Sequence, residues 1–311
     1  MILAVTHPDD VHAHAVLAEL ARLGATAVVV DLSRFPAHAG LSLGYGGAGG
    51  FSFEAGGGPA LDLDQVEAVW WRRPQPFTID GVGGTESWQF AYAECQEAFD
   101  GLWYAIGARL VNHPALDQVA HKKSLQLRVA EAVGLAVPPT LVTNDPARAA
   151  DFAANHGPGG TVYKPFQATE RQWRETRLLR DGELALLDQV RHAPVIFQRY
   201  VAGTDIRVTI VGERLFPAAI DVAGGSYPVD FRFNHELRIT ETELPGPVST
   251  GLLALMDNLG LVFGAVDLRR TPDGDHFFLE VNPAGQWLFV EDKTAQPISR
   301  ALAEVLVGAA R

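Results

Sequence analysis

Short apolar runs alternate with segments of helical period along the first third of the chain. The run at 2–5, a helical stretch at 11–23 closed by Gly24 and a second run at 27–32 predict the opening of a parallel α/β unit. The Gly-rich segment 40–59 resembles a phosphate loop only superficially, because it lacks a GK[ST] ending and no helix follows it. It predicts a hairpin with Gly-rich turns. VEAVWWRRP at 66–74 reads as a strand ending in the cationic pair Arg72-Arg73, a long helix is expected over 87–107, and Leu110-Val111 closes a first domain at 1–111.

A second unit, 112–194, opens with a helix expected over 118–133 and stopped by Gly134. Pro138-Pro139 breaks the chain before a strand at 140–143. Asn144-Asp145-Pro146 is an N-cap pattern with proline in the first helical turn, and TVYKPF at 161–166 predicts another strand. From 195 to 311 strands dominate (VIFQRYV, DIRVTIV, RLFPAAIDV), followed by a closing hairpin and a final helix at 298–309. The fold class is therefore mixed α/β and α+β in three parts: a parallel α/β domain, a small α+β domain and an antiparallel sheet.

The closing hairpin carries the most specific chemistry. Two β-type runs, 263–269 and 276–282, flank Asp273-Gly274, a dipeptide suited to the positive φ angles of a two-residue type I′ turn. Such a turn sets Asp267 opposite Glu280. The strand period puts Glu280 and Asn282 on one face and sends Leu279 and Val281 into a core. Facing carboxylates repel unless a cation lies between them, and an Asp/Glu/Asn oxygen set suits Mg²⁺ that keeps waters and phosphate oxygens. A solvated face on an edge hairpin is the alternative.

Composition narrows the field. The 311 residues are 47% hydrophobic, enough for a sizeable core, and no apolar run reaches membrane-spanning length. With no charged n-region or cleavage site before the first strand, a cytoplasmic location is expected. A formal charge of −12 disfavours a sequence-independent grip on nucleic acid or anionic membrane. The one cysteine, Cys95, excludes an internal disulfide and reads as a buried thiol rather than a nucleophile. His7, His12 and His14 lack the ligand set of a zinc site and read as lining a loop and a helix surface. Lys164 stands within an apolar strand, where an ammonium calls for an anionic partner unless it snorkels to water.

The D-x12-E-x-N pattern ending in LEVNP resembles the metal-binding end of the ATP-grasp ligases, in which Asp, Glu and Asn hold Mg·ATP. The resemblance implies ATP and Mg²⁺ as cofactors, with Asp267, Glu280 and Asn282 as the metal ligands. It also implies Lys164 on the α-phosphate and adenine edge, and Lys123, eleven positions before Gly134, as a second phosphate lysine, with Lys122 solvated or a substitute. Gln198, Tyr200 and Val201 fall on the hinge whose backbone reads adenine, and Asp205 on the position that holds ribose, though a turn role after Gly203 stays open. Arg207 and Arg232 are candidate catalytic cations, since guanidinium forks suit a γ-phosphate or a carboxylate; structural ion pairing is the alternative for each. One departure stands out: QATERQWRETRLL occupies the place of the family's Gly-rich phosphate flap.

Further motifs, VWWRRP, K-x-x-Q-L followed by VPPTLVTND, FQRYV with DIRVTIVG, and DFR before the hairpin, are similar together to the graspetide synthetases, the microviridin-type ATP-grasp peptide maturases. That resemblance implies a ribosomal precursor peptide, leader plus core, as partner, and ω-ester or ω-amide links joining its Asp or Glu side chains to Ser/Thr hydroxyls or Lys amines. Asp230 and Arg232 of DFR would recognise the peptide, whereas Arg72 and Arg73 read as pins between the first domain and the sheet, with peptide contact as the alternative. Neither nucleic acid nor membrane is an expected partner, and a homodimer is allowed. Two alternatives stay open: a glutamate-ligase-like enzyme adding amino acids, and a non-catalytic leader-binding module.

Overall fold

The computed structural model describes residues 1–166, 176–221 and 238–308. Asp230 and Arg232, with most of the segment in the flap position, lie outside the described residues.

The first domain runs β1 (Ile2–Val5), α1 (Val11–Arg22), β2 (Ala27–Val30), β3 (Ala39–Leu43), β4 (Phe51–Ala55), β5 (Leu61–Asp62), β6 (Ala68–Trp71), α2 (Thr85–Ala105) and β7 (Arg109–Val111). β2-β1-β6-β7 form a parallel sheet, while the Gly-rich stretch forms the expected hairpin, β3-β4, which β5 extends into an antiparallel meander. Alternation along β1 serves two layers. Leu3 and Val5 pack with Phe99, Leu102 and Trp103 of α2, and Ile2 and Ala4 pack with Val16 and Leu20 of α1.

Next come α3 (Pro114–Ala120) and α4 (Lys123–Ala132), where the sequence predicts one helix. Lys122 is extended (φ −76, ψ 102) and serves as the α4 N-cap, so the chain kinks there. The small domain contains β8 (Thr140–Thr143), α5 (Pro146–His156), β9 (Thr161–Lys164), β10 (Arg177–Leu178), α6 (Asp181–Leu184) and β11 (Val195–Arg199). Asp145 caps α5 as expected, accepting from the Ala147 and Arg148 N–H groups at 2.9 and 3.4 Å. The sheet order is β10-β9-β11-β8, so β11 belongs here, past the limit of 194 expected from sequence. Conversely, Ala120, Ala130 and Leu135 pack on the large sheet, so the segment from α3 to Leu135 belongs with that sheet.

The last part comprises β12 (Thr204–Val211), β13 (Arg214–Asp221), β14 (Arg238–Glu241), α7 (Gly246–Leu259), β15 (Phe263–Arg270), β16 (His276–Asn282), α8 (Leu288–Thr294) and α9 (Ile298–Leu306). Its antiparallel sheet has the order β14-β13-β12-β15-β16. One face, with Ile206, Val208, Ile210, Val266, Leu268, Phe278 and Val281, is covered by α4 and by Leu252, Leu255, Met256 and Leu259 of α7. Each such side chain contributes about 1.5–3 kcal/mol by leaving water. Helices α7 and α8 are absent from the sequence reading. α9 returns to pack on α1, tying the end of the chain to its beginning.

Among the described residues no helix is long and apolar enough to cross a membrane.

Candidate active site

On the face of the large sheet opposite α7, register places Arg207 (β12), Asp267 (β15) and Glu280 (β16) in one row across three strands. The expected facing pair, Asp267 and Glu280, is present, but the turn that makes it differs. Thr271 N–H donates to the Asp275 carbonyl (2.8 Å) and Gly274 N–H to the Thr271 carbonyl (3.0 Å), leaving a three-residue loop, 272–274, with Gly274 at φ 92. Asp273 has no positive φ, which excludes type I′. This loop shifts the register by one, and an irregularity at Asp267/Leu268, where the paired partner jumps from Glu280 to Phe278, shifts it back. Leu279 is the extra residue. It turns to the polar cleft while Phe278 takes the core position.

Cations attend both carboxylates. Arg207 Nε lies 2.9 Å from Asp267 Oδ1, and the Lys123 ammonium donates to Glu280 Oε2. Lys122 is exposed, whereas Lys123 is half-buried in its contact with Glu280. Asn282 is exposed on the strand face beside Glu280, its Oδ1 accepting from the Ala284 N–H at 3.0 Å. Lys164 Nζ reaches Gln198 Oε1 at 3.4 Å, and Gln198 in turn donates to Thr140 Oγ1 at 2.9 Å. Burial pushes the Lys164 pKa below the ordinary lysine range; Glu280 and Asp267 oppose this and the Lys123 ammonium reinforces it.

A cleft of about 780 Å³, its solvent-open part included, lies between the two sheets. Val162, Lys164 and Thr176 line it from the small domain, Gln198 to Val201 cross its end, and Asp205, Arg207, Asp267, Arg269, Leu279 and Glu280 form its floor. Asn282 and Lys123 are outside that lining, and Lys123 meets it through Glu280. The hinge is braced by Arg269, a residue the sequence reading passed over. Its Nε donates to the Val201 carbonyl (3.0 Å), its Nη1 to Asp205 (2.5 Å) and its Nη2 to the Tyr200 hydroxyl (3.4 Å). Asp205 therefore sits in β12 as an ion-pair partner rather than in a turn. Among the described residues the Val201 N–H has no partner, so an acceptor on a planar base can take it.

Among the described residues no cluster of three or more His, Cys, Asp or Glu forms a self-sufficient metal cage. Two carboxylates beside a cleft large enough for a triphosphate instead fit Mg²⁺ taken together with phosphate oxygens, with Asp267, Glu280 and Asn282 as protein donors. Among the other sequence candidates, Cys95 is half-buried, with its thiol pKa raised by burial, and so is poorly suited to nucleophilic work. His12 corrects its assignment: it is buried, edge-on to Trp287 at 4.5 Å. Arg72 does pin the first domain, donating to the carbonyls of Ala284 and Gly285.

Comparison with known proteins follows the same lines. Residues 1–122 match the family model of the MvdD pre-ATP grasp domain. Among solved structures, the macrocyclase MdnC bound with precursor peptide MdnA from Microcystis aeruginosa MRC is 30% identical, with a TM-score of 0.86 over 99% of both chains. The ATP-grasp ligase PsnB complexed with minimal precursor, Mg and ADP is 25% identical (TM-score 0.81; 99% of this chain, 96% of that one). A Chryseobacterium gregarium RiPP-associated ATP-grasp ligase in complex with ADP and a leader and core peptide is 24% identical (TM-score 0.88; 100% and 97%) and so speaks to the fold. No curated protein sequence matches. Fold and cleft define an ATP-grasp ligase. Within that class the chain belongs to the graspetide synthetases, the ATP-grasp macrocyclases of ribosomally made peptides.

Proposed function

We propose that this protein closes rings in a ribosomal precursor peptide at the expense of ATP, in the cytoplasm. The observation that carries the reading is similarity over 99% of both chains to a macrocyclase bound with its precursor peptide. A side-chain carboxylate of the core peptide attacks the γ-phosphorus, releasing ADP and leaving an acyl phosphate. A Ser/Thr hydroxyl or Lys amine then attacks the acyl carbon, phosphate leaves, and one ester or amide bond forms.

In this reading Lys164 and Lys123 neutralise phosphate oxygens, the Val201 N–H and the neighbouring hinge backbone hold adenine, and Asp205 meets the ribose. Asp267, Glu280 and Asn282 would hold Mg²⁺, which would supply charge neutralisation of phosphate oxygens. Arg207 steadies Asp267 and the transferring group. Asp230 and Arg232 take the peptide, Arg232 orienting the carboxylate to be activated.

The test is which molecule elicits ADP release. With ATP and Mg²⁺, the genomically adjacent Thr/Ser/Asp/Glu-rich peptide should stimulate it, and Glu280→Gln should lose the response while remaining folded. Stimulation by free amino acids and not by the peptide would replace this reading with the amino-acid ligase.

A further inference from the structure

β16, which carries Glu280 and Asn282, is an edge strand of the five-stranded sheet. An edge strand has one row of backbone groups without a neighbouring strand; on β16 that row is met by backbone at an isolated bridge, where the Phe278 N–H donates to the Ala136 carbonyl (2.8 Å), and nearer the site it is held by side chains. Here three buried polar side chains, Arg72, Asn112 and Gln126, 1%, 1% and 3% exposed, take hold of the backbone from 281 to 285. Each comes from a different place: Arg72 from the end of β6, Asn112 from the end of β7, Gln126 from the first turns of α4.

Gln126 grips both backbone groups of Val281, the residue between the two metal-site side chains. Its Nε2 donates to the Val281 carbonyl (2.8 Å) and its Oε1 accepts from the Val281 N–H (3.1 Å), while Nε2 also reaches the Ala120 carbonyl (2.7 Å). Asn112 donates to the carbonyls of Pro283 (3.2 Å) and Phe263 (2.9 Å) and accepts from the Phe263 N–H (2.9 Å), joining the exit of β16 to the start of β15. Arg72 donates to the carbonyls of Ala284 (2.5 Å) and Gly285 (2.9 Å), its own charge met by Asp10 at 3.3 Å. Ala284 is the residue whose N–H binds Asn282 Oδ1. The chain of contacts therefore runs from the first domain to the oxygen donors.

Apolar packing would bury this seam at less desolvation cost. Buried hydrogen bonds differ from apolar contacts in fixing direction and register. We propose that Gln126, Asn112 and Arg72 are positioning residues that set Glu280 and Asn282 for Mg²⁺, making the metal site dependent on the first domain and on α4. The inference rests on the ATP·Mg²⁺ part of the reading above, not on its peptide part.

The test uses Gln126→Met, which keeps the volume, and Arg72→Lys, which keeps the charge opposite Asp10, in the full chain. Mn²⁺ binding in the presence of a non-hydrolysable ATP analogue is measured by electron paramagnetic resonance, beside analogue binding without metal and the melting temperature. Outer-shell losses of this kind weaken metal affinity about 10–100-fold. That loss is expected in both variants, with metal-free analogue binding within about twofold of wild type. Folded variants that melt earlier yet bind Mn²⁺ as the wild type does would make the three residues merely structural and overturn the proposal. If Gln126→Met fails to fold, Arg72→Lys decides. Because no peptide enters the assay, failed ring closure leaves this result standing, whereas a wild type without metal-dependent analogue binding overturns both the inference and the ATP reading.

Discussion

Burial depresses the Lys164 pKa against the partial offset of Glu280 and Asp267, so its charged form costs folding free energy that a bound anion would return. Replacing it with Met removes that cost, so Lys164→Met should be at least as stable as wild type. It should also bind ATP about 10–100-fold more weakly, the loss of a charge-assisted contact of about 1.5–3 kcal/mol. Calorimetry and melting curves check both; unchanged ATP affinity would remove Lys164 from the site. At this scale Lys164 was legible as a charge interrupting an apolar strand and Asp267 and Glu280 through the facing of the hairpin, while Arg207 was named for the chemistry of its guanidinium. Arg269 shares the face of Asp267 by strand alternation, but its partners, Asp205 and the hinge, follow from the register of β12 on β15, which the sequence does not show. Leu279 was hidden because its facing depends on an irregularity that alternation cannot foresee.

The β15–β16 hairpin shows how an element can be read correctly through an incorrect turn. The three-residue loop and the irregularity at Asp267/Leu268 each displace the register by one in opposite senses, so Asp267 still meets Glu280. Gly274 is the residue this loop requires, at φ 92 with open space where a Cβ would stand. Gly274→Ala should therefore cost about 1–2 kcal/mol of backbone strain and nothing else. Denaturant titration should find that loss with ATP turnover intact; lost turnover at full stability would mean the loop has a role beyond closure. α7 escaped notice because GPVSTG opens it, although Leu252, Leu255, Met256 and Leu259 follow helical spacing and Gly260 closes it at φ 66. The break between α3 and α4 has no strong sequence signal; Gln126 reaching back to the Ala120 carbonyl holds it.

Across the whole molecule, the first domain meets the large sheet through a buried group of Asp10, His12, Arg72 and Trp287. Burial first, then the Arg72 charge, lowers the His12 pKa to about 4, against the opposing pull of Asp10. The unfolded chain takes up a proton near 6.5 that the folded one refuses until about 4, so stability falls as pH drops through that window and levels off below it. The full effect is on the order of 3 kcal/mol. Urea midpoints between pH 7 and 4 should follow this slope, and His12→Phe should flatten it; an equal slope in the variant would place the titration elsewhere. The three-part architecture was legible because the periodicities change from one part to the next, but the borders were not, since β11 and the α3–α4 segment are assigned by packing alone. The central claim is tested most directly by the mass of the peptide after incubation with the protein, ATP and Mg²⁺. Ring closure predicts a loss of about 18 Da, one water, for each link formed through carboxylate activation. A gain in mass, or an unaltered peptide despite ATP consumption, would contradict it.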